Sequence, residues 1–407
     1  MYKAEFKLEA ITPIFMRGAD QTKAEIRAPS IKGLMRWWFR ALAGSYFGDD
    51  ISGLRKAEEF VFGSTGRRSR IMVELSNVES EETYLPVDEF EFYFWFSQVS
   101  RSPKPALQPK TTFELTIKGY DELIIKTAVI SLWLAIHLGG FGSRARKFAG
   151  SIFLSEEPNA NFDIGIDFLP RTTNLKSYYI DTFATLLESI SEILNALGFD
   201  RSDVKDANYP IFSRRTAHVF VGKVVSTPSE AIKNIGAWYL GTFKKRKFEG
   251  GFRFKYADRK IADQIYQEYL KGKKRIGNIK AKNERRPYLG LPIQFYKKFN
   301  NEFVRFTVAH WNANRRASSL IMTVNKVEDK YYPIVTVLKY VFLPNYRGAV
   351  KCSGGVYRDL KKKKEKVANV EGALFILDRG KDPKKEYETF YDDLINSLRS
   401  HFTEVFP

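Results

Sequence analysis

The chain has 407 residues, 44% of them hydrophobic and 15% aromatic, with 66 Lys+Arg against 47 Asp+Glu and a formal net charge of +19. That length and apolar content exclude a disordered chain and allow two or three domains with their own cores, while the cationic excess favours a polyanionic partner, because phosphates attract such a surface and release counterions when bound. Cys352 is the single cysteine, which excludes an intrachain disulfide and a thiolate metal cluster. The opening "MYKAEFKLEA" lacks a signal-peptide core, and the longest apolar run, "AVISLWLAIHL" (128–138), is too short to span a bilayer. The expectation is a soluble, cytoplasmic protein with no membrane partner.

Residues 2–12, "YKAEFKLEAIT", alternate apolar and polar as a strand does. "RAPSIKGLMRWWFRAL" (27–42) has helical spacing. Ile31, Leu34, Met35, Trp37, Trp38, Phe39, Ala41 and Leu42 share one broad face, and Lys32, Arg36 and Arg40, four apart, form a basic row opposite. Ser30 stands where an N-cap belongs, and Pro29 disfavours extension backwards. Strand-like runs follow at 70–78, 90–99 ("FEFYFWFSQV") and 111–119. Residues 121–138 have a helical rhythm, and a glycine-rich turn leads to a short strand at 151–154. This order predicts a ferredoxin-like unit, an antiparallel sheet with two helices on one face.

The remainder reads as a helix at 178–198 stopped by Gly198, a strand at 217–226, a helix at 228–243, strands at 302–311, 318–327 and 331–343, and a closing helix at 387–402. The strands at 318–327 and 331–343 are expected to form a hairpin through "EDK". The fold class is therefore α+β, two ferredoxin-like (RRM-like) domains at 1–155 and 156–407 with helical and basic insertions. Residues 241–286 hold 16 Lys+Arg and 5 Asp+Glu, a net +11, so the other 361 residues carry +8. With Phe243, Phe248, Phe252, Phe254 and Tyr256 in it, this stretch is expected to be an insertion, loosely ordered until RNA or a neighbour binds. "LKKKKEKV" (360–367) reads as a charged, exposed segment.

In "LGGFGSRARKFAG" (138–150), Gly140 to Ala145 match GxGxxA, but the loop follows a helix and leads into a strand, the reverse of a dinucleotide-binding turn. Either the glycines end a helix, or Gly140 and Gly142 let backbone approach phosphates while Arg144, Arg146 and Lys147 supply charge. Three cations within four positions favour the second reading. His137, His218, His310 and His401 fall in no metal or catalytic frame, there is no phosphate-binding P-loop, and no cofactor or metal is expected.

"ITPIFMRGADQTKAEIRAPSIKGLMRWWFRAL" (11–42) strongly resembles the opening of the RAMP superfamily of CRISPR proteins, and more narrowly the first-named RAMP subunit of the type III-B Cmr effector complex. The glycine loop and the blocks "LGLPIQF" (289–295), "RRASSLIM" (315–322) and "YYPIVTVL" (331–338) resemble later parts of that family in the same order. The loop departs from the family at "ARKFAG", where the family reads more like R-R-G-F-G. The resemblance implies a non-catalytic subunit near the guide RNA 3′ end that helps capture target RNA. Its implied partners are guide CRISPR RNA, target RNA and other Cmr subunits. The expected RNA-binding residues are Arg17, Arg27, Lys32, Arg36, Arg40, Gly140, Gly142, Arg144, Arg146, Lys147, Arg315 and Arg316. Two alternatives stand beside this: a metal-independent RAMP endonuclease using His137 or His310 as base, and a protein-binding scaffold.

Overall fold

The computed structural model describes residues 1–407 except 84–86, 101, 171–174, 204–208, 246, 256–259, 282–284, 312–315, 342–348, 361–362 and 377–381, and except the side chains of 254, 255, 359, 360 and 363. The chain forms two compact units, one of Met1–Trp238, Leu320–Tyr340 and Leu398–Pro407, the other of Tyr239–Ser319 and Val341–Ser397. These compact units do not divide at 155/156. Phe6 and Trp133 from one side of that position and Phe183, Val219 and Ile334 from the other lie in one hydrophobic cluster, so residues 1–155 have no separate core.

The first unit begins with strand β1 (Tyr2–Ala10), helices α1 (Ala28–Phe47) and α2 (Ile51–Phe62), strands β2 (Ile71–Glu79) and β3 (Glu82–Thr83), helix α3 (Glu89–Val99), strands β4 (Ala106–Leu107) and β5 (Thr112–Gly119), helix α4 (Glu122–His137), and strands β6 (Ile152–Leu154) and β7 (Asn159–Ala160). The sheet runs β2-β5-β1-β6, with antiparallel pairs throughout and β7 also pairing β1. Alternation explains its core side: β1 buries Ala4, Phe6, Leu8 and Ala10, and β5 buries Phe113, Leu115 and Ile117. Helix α4 starts at Asp121, whose carboxylate accepts from Ile124 N. It is apolar nearly all round and accordingly buried from Ile124 onward but for Lys126.

Three local expectations need correction. Residues 90–99 are not a strand but belong to α3. The Asp88 side chain accepts from the amides of Phe90 and Glu91, both at 2.8 Å, while Glu91 accepts from Asp88 N, a complete capping box. The buried positions Phe90, Phe94, Trp95 and Gln98 have helical spacing; the alternating phenylalanines only imitate a strand. Helix α1 starts two residues before Ser30, with Arg27 extended at the cap position and Pro29 inside the first turn, where its missing amide hydrogen is harmless. Helix α2 was not expected from the sequence, although Asp50 accepts from Gly53 N and Leu54, Ala57, Glu58, Val61 and Phe62 line one buried stripe.

Then come α5 (Leu175–Ala196), β8 (Ala217–Val221), α6 (Pro228–Leu240), β9 (Gly241–Lys244), β10 (Lys247–Gly250), α7 (Phe252–Lys255), α8 (Ile261–Leu270), β11 (Arg275–Ile276), β12 (Ile279–Lys280), β13 (Ile293–Phe299), β14 (Glu302–Ala309), β15 (Leu320–Val327), β16 (Lys330–Leu338), β17 (Ala349–Leu360), β18 (Lys363–Phe375), α9 (Pro383–Arg399) and β19 (Thr403–Phe406). The first unit's second sheet runs β15-β16-β8-β19, again with antiparallel pairs. The two stretches of the second unit are inserted between its strands, one after α6 and one after β16.

The second unit holds a sheet in the order β11-β18-β17-β14-β13, with β12 also on β18. Helix α8 lies on one face, where Tyr266 stacks on Phe299 at 4.1 Å. The basic stretch 241–286 is built into this unit. Phe248, Phe252, Ile261, Ile265, Ile276 and Ile279 are buried, and β11 and β12 pair in parallel with β18. Tyr256 and the Phe254 side chain lie outside the described residues. The run expected as a charged exposed segment at 360–367 contributes to β17 and β18; residues 361–362 lie outside the described set.

Candidate nucleic-acid interface

The basic row of α1 has a partner that its own sequence does not contain. Arg36 Nε and Arg40 Nη1 each lie 2.7 Å from the same Glu58 Oε1, and the Glu58 side chain is only 10% exposed. Helix α2 supplies this carboxylate. One acid between two guanidiniums fixes both through charge-assisted bonds and leaves the group cationic. Lys32 Nζ donates to Ser69 Oγ at 2.6 Å. Burial, then repulsion from Arg36, pushes its ammonium below the usual lysine range. Beside this row, the exposed Arg70 and Arg67 guanidiniums sit over the Phe60 ring at 3.6 and 4.8 Å. These arginines were not singled out by sequence, although "GRRSR" (66–70) is a visible basic run.

The glycine loop is threaded through the first unit. Ser143 N donates to Phe15 O and Gly150 N to Pro13 O, both at 2.8 Å, and Phe148 N donates to Met322 O at 2.8 Å. Trp95 Nε1 donates to Lys147 O at 2.8 Å. Thr12 Oγ1 donates to Phe148 O and accepts from Ser151 N, while Ser151 Oγ bonds Thr323 Oγ1 at 2.9 Å. The reason for the glycines lies inside the protein. A Cβ on Gly140 would stand 2.8 Å from Ala149 O, and one on Gly142, at φ +91°, would stand 2.8 Å from Phe15 O. Gly140 is buried, which corrects its expected role as open backbone facing a phosphate.

The loop cations are differently placed. Arg146 lies over the Trp37 ring at 4.7 Å, so the loop meets α1 one residue from Arg36. Arg144, at φ +66°, is exposed and donates from Nε to Ser97 Oγ of α3 at 3.0 Å. The Lys147 backbone bridges to Met322 and its side chain is half-buried. Arg17 donates to Gln98 Oε1 at 2.8 Å and Pro105 O at 3.2 Å. Arg27 pairs with Glu25 at 3.2 Å and reaches Arg17 O at 3.5 Å. The geometry thus gathers Lys32, Arg36, Arg40 and Arg146 on and around α1, and Arg17, Arg27 and Arg144 around α3 and the chain entering α1.

Two expected residues do not join them. Arg316 is buried in the second unit, donating to Tyr288 O at 3.0 Å and Tyr387 Oη at 2.7 Å, so its fork is spent on internal acceptors. Arg315 lies outside the described residues. His137 is buried, stacked on Trp133 at 4.1 Å, with Nε2 3.0 Å from Phe168 O. Burial, partly opposed by that carbonyl, pushes its imidazole down to about 3, so it stays neutral near pH 7 and faces no solvent. His310 is half-buried at the end of β14. Among the described residues no group of three His, Cys, Asp or Glu side chains is placed to hold a metal, and no helix is long and apolar enough to cross a membrane.

The family model of the RAMP superfamily matches residues 7–153, which include α1, α2 and the glycine loop. A curated relative from Pyrococcus furiosus, the CRISPR system Cmr subunit Cmr1-2, is 42% identical over 177 residues, 37% of this chain and 95% of the relative. The chain belongs to the Cmr1 family. A second Cmr1 from the same organism, subunit Cmr1-1, is 36% identical over 203 residues, 47% of this chain and 58% of that one. The fold agrees with the family. The crystal structure of Cmr1 from Pyrococcus furiosus, in its apo form, superposes with a TM-score of 0.57 at 24% identity, covering 100% of this chain and 99% of the other. A chain of the type III-B Cmr-beta complex bound to cognate target RNA matches with a TM-score of 0.50 at 16% identity, over 83% of this Cmr1-family chain and 94% of its own length.

Proposed function

We propose that this Cmr1-family chain is a non-catalytic, cytoplasmic RNA-binding subunit of a type III-B Cmr effector complex. It contacts the backbone of guide or target RNA near the guide 3′ end and helps capture target RNA alongside other Cmr subunits. The observation that carries this reading is the shared Glu58 carboxylate: it orients Arg36 and Arg40 without cancelling them, beside Arg146 on Trp37. Guanidiniums held by an internal acid keep donors for phosphate oxygens and lose less conformational freedom on binding. Lys32, Arg17, Arg27 and Arg144 extend the same cationic surface, whereas the Lys147 ammonium nitrogen is buried. Phosphate contacts position RNA without reading its bases, so pairing between guide and target carries the sequence information. Both sheets of the first unit are ferredoxin-like in this reading: each has its first strand beside its third and fourth, and its second strand at an edge.

The buried, neutral His137 disfavours the endonuclease that would use it as base. The test is single-stranded RNA binding by the purified chain across a salt series. Affinity should fall steeply with salt, and Arg146→Glu or Arg36→Glu should weaken it by about 1–3 kcal/mol with the fold intact. Salt-independent binding, or RNA cleavage lost in His310→Ala, overturns the proposal.

A further inference from the structure

The second unit's sheet has one face under α8 and another turned outward. On the outward face, strand register builds a row across β13, β14, β17 and β18. Lys298 stands opposite Phe303, Phe303 opposite Tyr357, and Tyr357 opposite Lys366. The Phe303 and Tyr357 rings stack at 5.1 Å and 10°. Tyr296, in the next row, lies 5.3 Å from Phe303 at 38° and is 64% exposed. Opposite Tyr296 stands the exposed Arg305, and opposite Arg305 stands Gly355. A Cβ on Gly355 would meet Lys366 Cε at 2.5 Å, so the lysine stem lies flat over that glycine. Lys364 Nζ is 5.4 Å from the centre of the Phe303 ring.

Tyr296 and the half-buried Tyr357 flank Phe303, which is only 4% exposed, and with a lysine at each end of the row and an arginine in the next they form an aromatic platform bordered by cations, whose accessible rings are those two tyrosines. An apolar protein partner would leave those cations desolvated and unpaired, at a cost. A single-stranded nucleic acid matches both features, because its unpaired bases stack on ring faces and its phosphates meet the flanking cations. We propose that this face of the inserted unit is a second RNA contact, at which unpaired bases stack on Tyr296 and Tyr357 while Lys298, Arg305 and Lys366 hold the flanking phosphates. The inference rests on the reading of the chain as an RNA-binding subunit. It assigns the stacking role to a surface remote in sequence from α1 and the glycine loop.

The experiment measures binding of a fluorescein-labelled single-stranded oligouridine and of a duplex RNA by the full chain, for the parent and the variants Tyr296→Ala, Tyr296→Phe and Arg36→Glu. Because Tyr296 is mostly exposed, its replacement leaves the fold intact, which circular dichroism checks. Tyr296→Ala should weaken oligouridine binding about tenfold and duplex binding much less, and Tyr296→Phe, which keeps the ring, should bind like the parent. Ultraviolet cross-linking should mark a peptide containing Tyr296. If Tyr296→Ala binds oligouridine like the parent while Arg36→Glu does not, the platform is overturned and the α1 interface stands. If the parent binds neither RNA, both readings fall. If Tyr296→Ala keeps RNA affinity and loses only assembly with other complex subunits, the face is a protein-docking surface and the inference is overturned.

Discussion

The two most basic regions of the chain are organised in opposite ways. On α1, three cations in a row of four-residue steps converge with a loop arginine, and the two arginines of the row share a carboxylate that is nearly buried. In residues 241–286 the charge is far denser, yet Lys247, Lys271 and Lys273 pair with neighbouring half-buried acids, the first with Glu249 and the other two with Glu268. The apolar residues of that stretch complete a sheet and helices. Charge density in a sequence therefore says little about where charge is held in place. A pre-oriented pair on a rigid helix binds an anion better than many solvated lysines, whose side-chain entropy must first be lost.

Four measurements sharpen or break this contrast. The largest effect belongs to the scaffold under the α1 row. Trp38 is 2% exposed, and Trp38→Ala should cost about 3–5 kcal/mol in urea unfolding. A loss below 1 kcal/mol would mean that the apolar face of α1 is not the foundation of its basic row. Next is acid sensitivity of the same unit. His137 is held at about 3, below its unfolded value, so only the unfolded chain takes up a proton as pH falls through 6.5. Stability from this residue is intact above that pH and should fall by about 2 kcal/mol by pH 5. Burial also lowers His218, against the pull of Glu404, and adds to the loss with the same sign. Melting temperatures between pH 8 and 5 test this, with His137→Gln expected to flatten the slope.

Smaller, and most specific to the contrast, is Glu58→Gln. Both guanidiniums lose their charged acceptor, and the partly exposed pairs should cost about 1 kcal/mol after solvent screening. RNA affinity should change by less than in Arg36→Glu, because the variant's positive charge rises while its arginines lose orientation. A variant that loses binding outright would show that orientation outweighs charge. The smallest effect is expected in the dense region, where the exposed pair Lys271→Ala and Lys273→Ala should leave the melting temperature unchanged. A clear drop there would show that the stretch depends on its charges and not only on its buried isoleucines and phenylalanines.

Much of the scaffold was legible in advance because it is local. The strand alternation of β1 and β5 and the burial of α4 all follow from periodicity within a few residues. The α3 assignment failed because aromatic residues at every second position outweighed a capping box that was equally present in "DEFE" (88–91). The division into compact units was not legible for another reason: the first unit is assembled from three separated stretches of chain.

The amino-acid order by itself determined the apolar face and basic row of α1, the glycine positions of the loop and the family resemblance, since each depends on neighbours within a turn or a short motif. Only the tertiary structure decided what those features touch. It brought Glu58 to Arg36 and Arg40 across a helix that the sequence reading had missed. It set Arg146 on Trp37, and it turned Arg316 inward onto Tyr288 and Tyr387. It also brought Tyr296, Phe303 and Tyr357 together in one aromatic cluster through pairing of β13, β14 and β17. Such contacts depend on strand register and on closure of long loops, whose entropy is repaid only by the whole core, so no short stretch of sequence encodes them.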